Sequence, residues 1–454
     1  MEELTRTAEE KLRTYNQVHL IERLQRLPEN KRHKLAEQIK HIALDRLFQS
    51  LEKQELAEGT ADASIKPIAY ESWEQYGKGE QQAFADRGWE LLRRGGVGAI
   101  VVAGGNGSRL GYDGPKGTLD IGLPSGKSLF QLQAERLLHL SRDAGRVIPW
   151  YVMTSEDNHE ATKAFFHASG YFGYPAEDCF IFQQNSMPAV GHDGQLLLSA
   201  DGGIKLAPSG HGDCFASLKR TGALDDMKQR GLDWLFYCNV DNALVKMADP
   251  AFIGVAAYYN RDIAAKVVEK TDGQEKIGIV CERNGRPAVL EYNEIPDEIS
   301  NAQSADGHLL YHLGHISILL FKLDFIDKHA DADIPYHMAS KKMDHLDAND
   351  QLIVPDKPNA YKLERFIFDF FPFAELITVL KVERQEEFAP VKNKTGVDSP
   401  GSACRLVLAL HRKWLIEAGV PPEKLYGRDI ELSPLQSYGG EDLSAEAWEA
   451  GLNR

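Results

Sequence analysis

The sequence is poor in the features that mark a secreted or membrane chain. Its five cysteines (Cys179, Cys214, Cys238, Cys281 and Cys404) are scattered, and none forms a C-x-x-C pair. That pattern excludes a disulfide framework, suggests no structural zinc site, and fits reduced thiols. No stretch approaches about 18 consecutive apolar residues. The N-terminal MEELTRTAEEKLRTYNQVHL lacks an apolar leader core, so a soluble cytoplasmic protein is expected. Basic charge is also in deficit, with 52 Lys and Arg against 67 Asp and Glu and a formal net charge of −15. This argues against a broad nucleic-acid or anionic-membrane surface, so a phosphate-bearing ligand must meet a local basic patch.

Glycine is missing from residues 1–58, where Pro28 is the single proline. Leu20, Ile21, Leu24 and Leu27 recur at helical spacing, as do Leu35, Ile39, Ile42 and Ala43 beyond Pro28. The spacing predicts a helical hairpin with its lysines and glutamates on a solvated face. Residues 59–86 read as an irregular crossing segment.

From Val97 the texture alternates. Apolar runs at 97–102, 147–153, 179–184 and 234–240 read as strands, with helices opened by Ser128 and spanning 156–169. The βαβα order predicts an α/β fold with a mainly parallel sheet flanked by helices. Asn284-Gly285 between two apolar runs predicts a hairpin at 276–292, so the sheet should be mixed. At 454 residues with 43% apolar content, two or three domains are expected.

The loop GGNGSRLGYDGPKG (104–117) follows the first strand. It fails the dinucleotide fingerprint G-x-G-x-x-G, because Leu110 stands where the third glycine is needed. GLPSGKS (122–128) imitates a Walker A loop but carries Ile121 at the required glycine. What remains is a phosphate cradle. Glycines without Cβ let backbone N–H groups approach an anion, and Arg109 and Lys116 add two cations a few residues apart.

That loop resembles the signature of the sugar-nucleotide pyrophosphorylases, and longer matches resemble the eukaryotic-type UDP-N-acetylglucosamine and UDP-glucose members. They run in order through GLPSGKSLFQLQAERL, PWYVMTS, IFQQNSMPAV, VDNALVKMADPAFIG, AKVVEK, VLEY, PDKPNAYKLERFIFDFF and EEFAPVKN, over about residues 90–415. The resemblance implies a GT-A-like, Rossmann-related central domain at 87–395, an N-terminal helical segment at 1–86 and a small C-terminal domain at 396–454. It implies transfer of a uridylyl group from UTP to a sugar 1-phosphate, with release of pyrophosphate and Mg²⁺ as cofactor. By the same likeness Gly104 and Gly105 lie against the nucleotide, and Arg109, Lys116 and Lys392 hold the reacting phosphates. Gln184 meets the uracil edge, Gly210 adjoins the nucleotide, and Asp241 binds the metal. As an unrelated residue, Asp241 would instead read as a helix N-cap.

The sugar pocket is where the match divides. Gly210-His211-Gly212-Asp213 has the G-H-G-D form of UDP-glucose and broad UDP-sugar enzymes, where the N-acetylglucosamine type reads G-N-G-G. His315 likewise replaces an asparagine, whereas Tyr292, next to Glu291, which resembles the family acid that accepts from sugar hydroxyls, keeps the N-acetylglucosamine type. Similarity along the chain leans toward N-acetylglucosamine 1-phosphate. A plain hexose 1-phosphate, or a catalytically silent sugar-nucleotide sensor on the same fold, are the alternatives. A zincin H-E-x-x-H is absent because position 163 is lysine. Phe366, Phe368, Phe370, Phe371 and Phe373 read as core packing.

Overall fold

The computed structural model describes residues 2–42, 44–57, 64–347 and 349–452. Its contacts separate two compact units: residues 1–63, 184–213 and 333–369 form one, and 64–183, 214–332 and 370–454 the other. The units follow packing rather than the linear breaks at 86 and 395, since 64–86 fold with the second unit.

Among the described residues the second unit is built on an eleven-stranded sheet. Its main path runs Glu71–Ser72, Thr378–Lys381, Ile263–Glu269, Leu313–Lys322, Trp234–Asn239, Val97–Val102, Trp150–Thr154, Cys179–Gln183. Only the Leu313–Lys322 strand runs against its neighbours on this path. The sheet is therefore mixed and mostly parallel along its path, as expected. Val97–Val102 is almost wholly apolar and buried, as a strand covered on both faces must be. Ser128 caps the helix Leu129–Ala144, its Oγ accepting from the Gln131 N–H at 3.2 Å. The hairpin Ile279–Arg283 and Arg286–Leu290 turns on Asn284 and Gly285, both at positive φ (54° and 74°), as a type I′ turn requires.

Two expectations are corrected. Among the described residues the N-terminal hairpin is four helices, Glu2–Thr14, Val18–Arg26, Glu29–His41 and Leu44–Ala57. Asn16 at φ 55° and extended Ile42 break the chain as effectively as Pro28 does. Ala43 and residues 59–63 lie outside the described residues. The helices bury Leu12, Leu20, Leu24 and Ile39 in one core with Val190, Leu196, Leu198 and Leu363 of their own unit.

Within 59–86, residues 78–86 are no irregular crossing but the start of the helix Lys78–Arg93. Its two glycines disguised it. At Gly88 a Cβ would stand 1.8 Å from the Pro250 carbonyl oxygen, so this helix meets Pro250–Tyr259 backbone to backbone. Phe368, Phe370 and Phe371 are buried as predicted. Phe366 is only half-buried, with the His211 and His337 rings packed against it, and Phe373 is exposed beside His329 just after Pro372. Among the described residues no helix is long and apolar enough to cross a membrane.

Candidate active site

In a parallel sheet, ligands gather beyond the carboxyl ends of the strands. Two of the predicted groups stand there. The glycine loop leaves the Val97–Val102 strand, and Asp241 follows the adjacent parallel strand Trp234–Asn239. The loop folds back on itself: the Gly107 N–H donates to Gly114 O at 2.9 Å, and the Lys116 N–H to Gly105 O at 3.0 Å. Asn158, a residue the sequence reading passed over, donates from Nδ2 to Ala103 O and Gly105 O at 2.9 and 3.3 Å. This return carries the Lys116 ammonium to 3.1 Å from Asp241 Oδ2, with both side chains about one-fifth exposed (19% and 20%). Asp241 is no helix N-cap. The next helix starts at Pro250 and is capped by Asp249.

Lys392 arrives from the far end of the sequence by a backbone zipper. The Ala243 N–H donates to Ala389 O at 3.0 Å and the Val391 N–H to Asp241 O at 2.9 Å. Leu110, Leu119, Ala243, Leu244, Ala389 and Val391 share one apolar cluster. The loop, the Asp241 turn and the Lys392 segment thus share a common base, and the Lys392 ammonium lies over the Phe388 ring, 5.7 Å from its centroid. The structure brings Lys116, Asp241 and Lys392 into one neighbourhood, with Gly104 and Gly105 at the root of the loop. Arg109 is exposed on the short helical turn Ser108–Leu110, anchored by buried Leu110, and forms no ion pair among the described residues. Lys394, also missed in the sequence, lays its side chain against Gly111 of the same loop.

Among the described residues no three His, Cys, Asp or Glu converge as a metal cage. Asp241 brings one carboxylate to this cluster, with the Asp398 carboxylate close enough to feel its charge, a donor set that suits magnesium. That ion takes one or two carboxylates and completes its octahedron with water and phosphate oxygens.

A second group surrounds Gly278. The His315 N–H donates to Gly278 O at 2.8 Å, and Glu291 Oε1 approaches the same glycine. His315 is buried, with its Nε2 3.3 Å from the Ser317 hydroxyl and its ring edge-on to Phe371. A bulge sets its position: Lys266 faces Ile318 across the ladder while Val267 faces His315, so Ile316 and Ser317 are extra. Tyr292 follows Glu291 and is half exposed (50%).

The remaining predicted residues belong to the first unit. Gly210 sits at φ +88°, and a Cβ there would lie 2.5 Å from Arg365 O, so only glycine lets these chains touch. The close approach brings His211 Nδ1 within 3.0 Å of the Ile367 N–H, from which it accepts, and stacks its ring on Phe366 at 28° and 5.2 Å. With Nδ1 an acceptor, the neutral ring carries its proton on Nε2. Asp213 is buried, and its carboxylate accepts from the Asn185 N–H at 3.1 Å, fixing the turn beside Gln184. Gln184 is 7% exposed, and its Oε1 has no hydrogen-bond partner among the described residues.

The fold and the charged cluster at its strand ends are those of an α/β enzyme that transfers part of a nucleotide, and comparison with known proteins makes the class specific. Residues 44–420 match the model of the UDPGP family, described as UTP–glucose-1-phosphate uridylyltransferase, and the chain belongs to that family of uridylyltransferases. It is 36% identical over 464 aligned residues to UDP-N-acetylglucosamine diphosphorylase 2 of Arabidopsis thaliana, covering 96% of this chain and 90% of that one. It is 37% identical to the UDP-N-acetylglucosamine pyrophosphorylase of Saccharomyces cerevisiae, over 85% and 83% of the two chains. Among solved structures, the UDP-N-acetylglucosamine pyrophosphorylase of Trypanosoma brucei matches with a TM-score of 0.83 at 28% identity, covering 99% of this chain and 96% of that one. The family resemblance read from the motifs is borne out.

Proposed function

We propose that this uridylyltransferase joins UTP to N-acetylglucosamine 1-phosphate, giving the UDP-sugar and pyrophosphate. A phosphate oxygen of the sugar 1-phosphate attacks the α-phosphorus of UTP in line, the α–β bridging P–O bond breaks, and pyrophosphate departs with the electron pair. No covalent enzyme intermediate is needed, so the protein's contribution is to align two anions and neutralise their charge.

The observation that carries the reading is the convergence of Lys116, Asp241 and Lys392 from three distant stretches of chain. Lys116 and Arg109 draw in the triphosphate, and Lys392 bears on the reacting phosphates. Asp241 is the residue that would hold Mg²⁺, which when bound screens phosphate charge. A Cβ on Gly105 would meet no protein atom within 4 Å, so no internal contact explains that glycine, whereas close passage of a nucleotide does. The unpartnered Gln184 Oε1 is a ready acceptor for the uracil N3–H. On the family likeness alone, Glu291, Tyr292 and His315 of the second unit are assigned to the sugar, and in the first unit His211 is assigned to the sugar and Gly210 to the nucleotide.

The sugar assignment rests on the relatives named above. The G-H-G-D segment, with His211 and Asp213 assigned to the substrate, favours a plain hexose 1-phosphate, although the Asp213 carboxylate also accepts from the Asn185 N–H and so holds the backbone there. Pyrophosphate release with UTP, Mg²⁺ and each of N-acetylglucosamine, N-acetylgalactosamine, glucose and galactose 1-phosphates decides. The expected result is the highest kcat/KM for N-acetylglucosamine 1-phosphate. A preference for glucose 1-phosphate replaces the sugar, and no turnover with any of them sinks the reading.

A further inference from the structure

Asn242 stands next to Asp241, is 3% exposed, and spends its whole side chain on the chain that carries Lys392 and on its own turn. Its Nδ2 donates to Glu387 O at 2.7 Å, and its Oδ1 accepts from the Ala389 N–H at 2.9 Å and the Leu244 N–H at 3.2 Å. The turn is gripped from its other side by the helix Leu129–Ala144. Gln133 Nε2 donates to Val240 O at 3.2 Å, and Arg136 Nη2 to Ala243 O at 2.8 Å.

Behind this lies a buried charge cluster that the reaction does not touch. Lys266 is fully buried, with its ammonium 2.6 Å from Glu387 Oε1 and 2.6 Å from Asp249 Oδ2. Lys246 stands 3.8 Å from the same Glu387 oxygen and 3.1 Å from Glu386. Burial works against ionisation of Asp249, yet Lys266 and Lys246 hold its carboxyl below the ordinary range. Buried ion pairs are poor sources of stability, because desolvation offsets most of the attraction, but they fix orientation. Here the residue whose carboxylate is fixed is the one whose carbonyl Asn242 grips.

We infer that Asn242, locked through Glu387 to Lys266, is a positioning residue that sets Lys392 relative to Asp241. This rests on the uridylyltransferase reading. Asp241 and Lys392 are 151 residues apart, and side-chain bonds from one small amide make their spacing a local property. Displacing a reacting group by about 1 Å can cost 10²-fold in rate. The Lys116 side of the site reaches Asp241 through a separate loop, so nucleotide capture is left in place.

The test is a double-mutant cycle in the full-length chain, combining Asn242→Ala with Lys392→Met. Asn242→Ala is expected to lower kcat about 10- to 100-fold with KM for UTP within about threefold. In the Lys392→Met background the same change should alter kcat by less than about threefold, because the group being positioned is gone. A residue that merely holds the fold gives the opposite result, with the two losses multiplying, and that outcome overturns the proposal. So does a kcat for Asn242→Ala within about threefold of wild type. If Asn242→Ala fails to melt cooperatively, Glu387→Gln, of equal size, enters the same cycle with the same expectations. Absence of turnover by the wild-type chain overturns the sugar-transfer reading and this one with it. A multiplicative cycle on an active wild type overturns the positioning role alone.

Discussion

Lys116 and Asp241 meet across 125 residues of sequence as an ion pair of 3.1 Å. Each is chemically equipped for another partner, the lysine for a phosphate and the carboxylate for a cation. The pair therefore competes with both ligands, and removing one member should release the other. Partly exposed ion pairs are worth about 1 kcal/mol, so Lys116→Met should tighten binding of Mn²⁺ in the absence of nucleotide roughly fivefold, read by calorimetry. The same variant should lose about 10²-fold or more in kcat if, as proposed, Lys116 stabilises charge on the departing pyrophosphate. Tighter metal binding with slower turnover distinguishes this role from simple misfolding, which would weaken both. Unchanged Mn²⁺ affinity would count against the competition.

At the scale of elements, the helix Lys78–Arg93 shows where sequence patterns mislead. Glycine disfavours helices by about 1 kcal/mol relative to alanine, yet Gly88 lies inside this one because Pro250 leaves no room for a side chain. Gly88→Ala sets a propensity gain of about 1 kcal/mol against an overpacking cost of about 3 kcal/mol. The expected net loss of about 2 kcal/mol would appear as a lower denaturant midpoint. Gly79→Ala, near the start of the same helix with no atom within 4 Å of its new methyl, should be neutral or slightly stabilising. Equal effects at both positions would refute the packing argument.

The same element explains what was and was not legible. Val97–Val102, the Ser128 cap and the Asn284-Gly285 turn were readable because the cause of each is local: an apolar run, a capping hydroxyl, two residues that accept positive φ. The loop that leaves the Val97–Val102 strand was readable for the same reason. Asn242, Glu387, Lys266 and Asn158 were not, since each acts through a partner in a distant stretch and no spacing encodes it. Asn242 stood inside a recognised stretch, VDNALV, but an amide beside an aspartate carries no signal until its partners are seen. Phe366 and Phe373 failed in another way, because aromatic content alone does not say which rings are covered.

Across the whole molecule, acidity and buried histidine together set the response to pH. At a net charge of −15 the chain carries many carboxylates, but those held below the ordinary range, such as Asp249 and Glu386, keep their stabilising charge until the pH falls below about 4. Losses above that point must come from groups that resist gaining a proton. His411, on the helix Pro400–Glu417, is 6% exposed, and its Nδ1 accepts from the Leu432 N–H at 3.1 Å. Burial, with Arg136 and Lys127 nearby, pushes it down to about 3. The unfolded chain takes up that proton near pH 6.5 and the folded chain does not. Its stabilising contribution is therefore complete above about 6.5 and drains away as pH falls from there toward 3, by up to about 1.4 kcal/mol per pH unit. His159 and His329, also lowered by burial, act in the same direction from more exposed positions. Denaturant titrations at pH 7, 6, 5 and 4.5 should show stability declining throughout this window. His411→Gln keeps an acceptor for Leu432 and abolishes the titration, so its decline should be shallower, with the gap to wild type closing as the pH is lowered. Parallel curves for the two proteins would place the acid sensitivity elsewhere.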